Sequence, residues 1–408
     1  TYSAVSWDTT PKTTTITGAA GVGYFVNTSG GAVTANLPAG TAGDVIAFAD
    51  YAATWQTNAV TVSPNGTEKI GSVNADVALN TEGQSVTLVY VDSTQGWINT
   101  MDSTSNVRGS TFVAATGGTI STVCTDYKVH TFTGPGTFTV TAAGTPVGST
   151  TVDYMVIAGG GGGGFERAGG GGGGGFRESP GTASGSYTAS PLGVAPAVAL
   201  PVSVTGYPIT VGGGGAVAPA RGTAAPNGAN SIFSSITSTG GGGGGSHPPA
   251  PQSGNSGGSG GGTIHGCTCT PAGGTGNSPP VSPPQGNNGG VATAPAGSGY
   301  YVASGGGGAT AVGGSSSGSS ATGVGGAGAT SSINNTPTTR AGGGGGGSNS
   351  APTPATGGSG GGGNGGYGPT SATPAVINSG GGGGGGPGLG FAGTAGGSGI
   401  VIIRYKFQ

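Results

Sequence analysis

Apolar and polar residues alternate in short bursts along the first 158 residues, and then the alternation stops. From Thr13 to Thr100 the bursts TTTIT, GYFVN, AVTANL, DVIAFAD, NAVTVSP, VTLVYVD and GWINT are punctuated by Gly-Gly, Pro-Ala-Gly, Pro-Asn-Gly and Glu-Gly-Gln. Short bursts with turn residues between them predict an all-β fold, an antiparallel β-sandwich or barrel over residues 13–100. Val45, Ile46 and Phe48, with Leu88, Val89, Tyr90 and Val91, are its expected core. Trp55 and Trp97 sit beside turns, where they are expected to pack over an edge or between subunits. Residues 1–12 read as a polar lead-in and 101–110 (MDSTSNVRGS) as a hinge. No stretch has the helical period, so no α-helix is expected.

Beyond the hinge, Val129 to Phe132, a Thr-Gly-Pro-Gly turn and Thr137 to Thr141 predict a hairpin. TTVDYMVIA (150–158) then runs straight into glycine, and Ser398-Gly399 leads out of glycine into IVIIRYKF (400–407). These two apolar segments are expected to be neighbours in one sheet. On that reading 111–158 with 400–408 form a small β base, and 159–399 is an insertion whose ends are pinned together. LPVSVTGYPITV (200–211) and SIFSSITS (231–238) also run into glycine and read as further base strands. The chain leaves the base, turns and returns. Residues 165–168, 216–226 and parts of 246–304 are therefore expected at the far end, whereas 309–341 and 348–379 carry no strand to orient them.

Composition decides what the insertion is. Glycine runs without interruption at 159–164, 169–175, 212–215, 240–245, 305–308, 342–347 and 380–386, and 83 of the 101 glycines follow residue 150. Their share there is about a third, against roughly 7% in ordinary proteins. No Gly-X-Y period is present, which excludes collagen. Ordering each glycine costs about 0.5–1 kcal/mol more than ordering alanine, and a residue without a side chain cannot recover this by burial. Backbone hydrogen bonds between extended helices of three residues per turn can recover it, and only glycine lets backbones approach so closely. Pure runs therefore predict a lobe of packed polyglycine II helices. A flexible tail is the competing reading, but linkers mix in serine and charge.

Charge narrows the function classes. Charged residues are 5% of the chain, net charge is −2, and no Asp or Glu occurs from Ser179 to Gln408. Disorder normally accompanies high net charge. No basic stripe suits nucleic acid, and no apolar run reaches the ~18 residues needed to insert in a membrane. Thr1 is a small residue of the kind left by initiator-Met removal, and a cleaved leader would leave the same end.

Candidate chemistry is sparse. His265-Gly-Cys-Thr-Cys269 has metal-ligand residue types but falls short of the four ligands of a structural zinc, so a plain or disulfide-linked loop is expected and no cofactor. Gly-X-Gly-X-X-Gly recurs many times without the helix a phosphate loop requires. Glu166, Glu178, His247 and His265 stand well apart in sequence, and Asp44 and Asp50 read as turn residues and solvated strand ends. No enzyme activity is expected. Aromatic residues suit binding better, giving large contact area at low entropy cost. Phe165, His247, His265, Tyr300, Tyr301 and Tyr367 are the candidate recognition residues. Phe176 and Tyr207, beside base strands, are expected to shield the lattice.

The junctions VDYMVIAGGGGGG, YPITVGGGG, SIFSSITSTGGGGGG and GGSGIVIIRYKF resemble the glycine-rich domains of bacteriophage tail-fibre and receptor-binding adhesin proteins. In some of those proteins the runs form a sandwich of polyglycine II helices whose variable loops touch the host. Residues 13–100, with TITGAAGVGYFVNTSGGAVTANLPAG and GWINT, look like the β-rich modules that precede such tips in phages of marine bacteria, including cyanophages. The resemblance implies a non-enzymatic virion fibre: a homotrimer joined to other virion proteins through residues 1–100 and bound to a host carbohydrate or outer-membrane protein. This chain departs from those tips in carrying its own β-rich N-terminal part, as a short fibre or capsid appendage would. The runner-up is a self-associating structural filament, which suits the low charge; a disordered tail on a β-domain is the third reading.

Overall fold

The computed structural model describes residues 5–103, 112–146, 148–185, 187–249, 252–265, 271–293, 302–317, 322–349, 354–388 and 390–408. The chain divides into two compact units, Thr1–Gly109 and Ser110–Gln408. Both are all-β, with no helix among the described residues.

The first unit contains β1 (Ser6–Lys12), β2 (Ile16–Thr17), β3 (Val22–Val26), β4 (Val33–Asn36), β5 (Val45–Asp50), β6 (Val60–Ser63), β7 (Val77–Leu79), β8 (Ser85–Asp92) and β9 (Gly96–Ser103). One sheet has the order β1-β3-β5-β8-β9 and the other β2-β4-β6-β7. Successive strands up to β6 alternate between the sheets, so each return runs in the direction of the strand it joins. The pairs β1/β3, β3/β5, β2/β4 and β4/β6 are parallel, and only the later pairs are antiparallel. This corrects the expected antiparallel arrangement. A Gly/Pro turn that crosses between facing sheets has the composition of one that closes a hairpin, so the turns could not tell the two apart.

Side chains from both sheets form one core, including Val26, Ile46, Phe48, Val60, Val62, Val86, Leu88 and Tyr90. Val45 and Val89 are only partly buried and Val91 is 46% exposed, because alternate residues of a strand face opposite sides. Trp55 and Trp97 are fully buried, so both belong to the core and not to an edge. Trp55 Nε1 donates to Val26 O (3.2 Å). Asp50 is also buried, accepting from the backbone of Thr54, Trp55 and Gly83, and so organises two loops in place of ending a strand in solvent.

In the second unit, Thr151–Ile157 and Ile400–Lys406 are antiparallel neighbours, with Asp153 opposite Arg404 and Ile157 opposite Ile400. The ends of the glycine-rich segment are thus pinned together, as the apolar flanks indicated. Tyr127–Phe132 lies on the other side of Ile400–Lys406, and Phe176–Glu178 on the other side of Thr151–Ile157. A second sheet joins Val113–Thr116, Gly136–Ala143, Gly206–Thr210, Ser231–Phe233 and Ile236–Ser238 in that order. Here the expected hairpin fails. Tyr127–Phe132 and Gly136–Ala143 lie in different sheets, and Phe132, Phe138 and Val140 meet in one core. The turn is an arch that lets both strands bury aromatic residues face to face. Phe176 is buried, and Tyr207 packs against Phe138 and Phe233, as shielding residues would.

On this base the glycine rows stand as a lattice with a period of three. Ala158, Gly161 and Gly164 donate to Gly175, Gly172 and Gly169; Gly159 and Gly162 donate to Ala229 and Pro226; Gly160 and Gly163 donate to Gly397 and Thr394. The same row accepts from Gly241 and Gly244, from Gly215 and Ala218, and from Gly383 and Gly386. It is therefore surrounded by six others, as three residues per turn require when every peptide is paired laterally. A Cβ on Gly161 would overlap Gly242 O, and one on Gly171 would overlap Gly161 O. That close approach is the physical reason the central rows are pure glycine.

Candidate recognition surface at the end of the lattice

Hydrogen bonds between rows orient the rows that sequence could not. Ala158 and Gly159 open their row at the base, while Gly164 pairs with Gly169, Gly386 with Gly164, and Gly347 with Ala168 at the opposite end. Residues 165–168, 219–224 and 246–249 lie at that far end, as do 348–349 and 366–370 from the unoriented stretch. Within 246–304, however, the chain shuttles: Gly258 and Asn277 return to the base side, where Gly258 pairs with Gly240.

The reversal Phe165-Glu166-Arg167 separates two six-neighboured rows. Glu166 (φ 57°) and Arg167 (φ 51°) are both left-handed, which costs about 1–2 kcal/mol per residue with a side chain and almost nothing for glycine. Glu166 N donates to Phe391 O (3.0 Å), Arg167 N to Pro387 O (2.8 Å) and Phe165 N to Ser246 Oγ (3.0 Å), while His247 N donates to Phe165 O (3.1 Å). Two loops far apart in sequence, at 246–247 and 387–391, are thereby tied to one turn.

Above it sits a charged clamp. Arg221 Nε lies 3.1 Å and Nη2 2.9 Å from His247 Nδ1, and Nε lies 3.7 Å from Glu166 Oε2. Because arginine only donates, Arg221 favours the neutral ring with Nδ1 as acceptor, whereas Pro248 O, 3.2 Å from the same nitrogen, favours a proton there. His247 is 4% exposed, and burial pushes its pKa below the ordinary value, reinforced by Arg221 and Arg167 and opposed by Pro248 O and Glu166. Further across the same end, Tyr367 N donates to Thr370 O and Ser348 N to Gly366 O, and Phe391 is 47% exposed.

Phe165 and His247 therefore meet directly, and Tyr367 shares their end. His265 is half-buried opposite Val302, with Ile264 N bonded to Gln252 O. Tyr300, Tyr301, Cys267 and Cys269 lie outside the described residues. Sequence reasoning missed the clamp that Arg221 forms with His247 and Glu166, the left-handed Arg167 and the exposed Phe391. An adjacent acid and base in a short break between two glycine runs was the available signal.

Three further charges of this unit are held in the base. Asp153 accepts from Ser179 Oγ and from Ser184 N and Oγ, and Glu178 accepts from Ser190 N and Ser331 Oγ. Arg404 lies over the rings of Tyr127 and Tyr187 and donates to Ile333 O. Burial raises the Glu178 pKa. These groups anchor loops to strands. The lattice end offers guanidinium, amide and aromatic faces, suited to hydrogen bonding and stacking.

The family model described as a glycine-rich domain matches residues 131–406. The chain belongs to the glycine-rich domain family. That span takes in the base strands from Phe132 to Ile400–Lys406 together with the whole lattice. In this chain the matched span is thus a β base and a lattice within one compact unit. Over 94 residues the chain is also 38% identical to the baseplate wedge protein gp10 of Enterobacteria phage T4, a match covering 22% of this chain and 16% of that protein. The chain therefore spans only a small part of that relative's length. Among the described residues no helix is long and apolar enough to cross a membrane.

Proposed function

We propose that this protein is a structural component of a phage virion, of the tail-fibre or adhesin type, that binds the bacterial surface through the loops at the far end of its glycine lattice. It does so without catalysis, and its place is the exterior of the particle. The observation that carries this reading is the Phe165-Glu166-Arg167 turn. Two left-handed residues with charged side chains stand where the surrounding glycine would cost less, and strain of this sort concentrates at sites of function. Similarity to a baseplate wedge protein supports the virion setting. The host target is a surface carbohydrate or an outer-membrane protein, contacted by Phe165, His265, Tyr300, Tyr301 and Tyr367 together with Arg167, Arg221 and Phe391, with the buried His247 holding Arg221 in place. The protein works as a homotrimer, docked to other virion proteins through residues 1–100, and its sites combine by avidity.

The test is adsorption. Removing residues 246–304 whole would also remove lattice rows such as Ser259–Gly262, so the end loops must be changed alone. Replacing Phe165, Glu166 and Arg167 by glycine keeps the turn and deletes its side chains. Loss of cell adsorption with normal assembly is expected; undiminished adsorption would refute the loop assignment.

One observation favours a second reading, a self-associating filament or capsid appendage. Gly213, on a perimeter row, faces open space and leaves the lattice edge able to receive another chain. Growth of the oligomer with concentration would identify that behaviour, whereas an adhesin stays discrete.

A further inference from the structure

The N-terminal sandwich contains a cavity of about 180 Å³, between the edge strands β7 and β9 of its two sheets. Val62, Leu79, Val86 and Leu88 give it apolar walls, and Gln84 and Asp102 give it a polar side. Gln84 is 8% exposed. Its Nε2 donates to Asp102 Oδ1 (3.2 Å) and Oδ2 (3.4 Å), which turns the amide oxygen away from the carboxylate. That oxygen, Oε1, is buried and has no donor. A buried acceptor without a partner destabilises the free protein, and such groups call for an explanation. Leucine here would fill the same space with no orphan. Asp102 itself is exposed and reachable from solvent.

We propose that this cavity binds a compact amphipathic cation: an apolar body of about six to eight non-hydrogen atoms, the scale of ligand that a ~150 Å³ apolar cavity accepts, ending in one ammonium group. The ammonium donates to Gln84 Oε1 and to the Asp102 carboxylate, satisfying the orphan and adding a charge-assisted bond. A free amine and a lysine side chain of another protein both carry this chemistry.

The full-length protein, labelled at Val and Leu methyl groups, is titrated with benzylammonium, toluene and benzoate and followed by NMR. Benzylammonium is expected to shift the methyls of Val62, Leu79, Val86 and Leu88, to bind roughly tenfold more tightly than toluene, and benzoate is expected not to bind. Gln84→Leu and Asp102→Asn should each weaken benzylammonium by about tenfold, while Gln84→Leu raises the melting temperature of the free protein. If Gln84→Leu does not fold, Asp102→Asn carries the comparison. Blocked lysine (N-acetyl-lysine methylamide) separates the two sources: binding as tight as benzylammonium assigns the site to a partner's lysine, and weaker binding to a free amine. Equal affinity for toluene, undiminished affinity in both variants, or no binding by any cation would overturn the proposal.

Discussion

At the residue scale, two positions show side chains working against and for stability. Arg167 holds a left-handed conformation, so Arg167→Gly is expected to leave stability unchanged or to raise it by up to about 1 kcal/mol, while cell adsorption falls. Thermal denaturation and an adsorption assay read the two effects separately; a large loss of stability would show that Arg167 serves the fold. His130 works the other way. It is fully buried, its Nδ1 donates to Gly117 O (2.7 Å), its Nε2 accepts from Tyr405 Oη (3.0 Å), and Tyr405 Oη accepts from Ala115 N. Burial lowers the His130 pKa below its ordinary 6.5 and raises that of Tyr405 to about 12. A depressed histidine contributes stability that is complete above pH 6.5 and is lost as pH falls through the folded value. His247 is shifted in the same direction. Melting temperature should therefore drop on acidification below about 6.5, and His130→Gln should flatten that part of the profile at lower overall stability.

At the element scale, rows of the lattice come in two kinds, and sequence distinguishes them. Central rows such as 159–164 and 380–386 are pure glycine because they touch neighbours all round. Perimeter rows carry larger residues in the two outward places of each turn: Ala355 and Gly358 are buried between more exposed neighbours, and so are Ala372 and Ala375. Gly161→Ala should cost several kcal/mol, on the scale of other overpacked cores, because the methyl would displace Gly242 O. Gly213→Ala should be neutral or stabilising by about 0.5–1 kcal/mol. Equal effects in chemical denaturation would contradict the six-neighbour arrangement. The base strands and their junctions with glycine were legible because apolar bursts flank the runs. The rows in 309–341 and 348–379 were not, since nothing in a glycine run states its direction. The β-arch at Thr133–Gly136 and the parallel pairs of the first unit were misread for a related reason: turn composition reports that the chain reverses, and not whether it stays in its sheet.

At the scale of the whole molecule, the C-terminal strand joins the two ends of the glycine-rich segment to the base. Ile400–Lys406 lies between Tyr127–Phe132 and Thr151–Ile157, so it closes both the base and the insertion. Deleting 400–408 is expected to leave residues 112–399 sensitive to protease while the first unit stays resistant. A lobe that kept its resistance would mean that the rows hold together without the base. The site was only partly legible: Phe165 and His247 were named from sequence, but their union with Arg221 and Glu166 depends on rows meeting across about 80 residues of chain. On the proposed reading the lattice is rigid, so that the end loops can change without disturbing the rows beneath them. Amide hydrogen exchange across 159–399 tests that claim most directly. Strong protection of the pure glycine runs with fast exchange in the end loop at Ala220–Gly222 is the predicted result; uniformly fast exchange throughout would contradict the lattice and everything built on it.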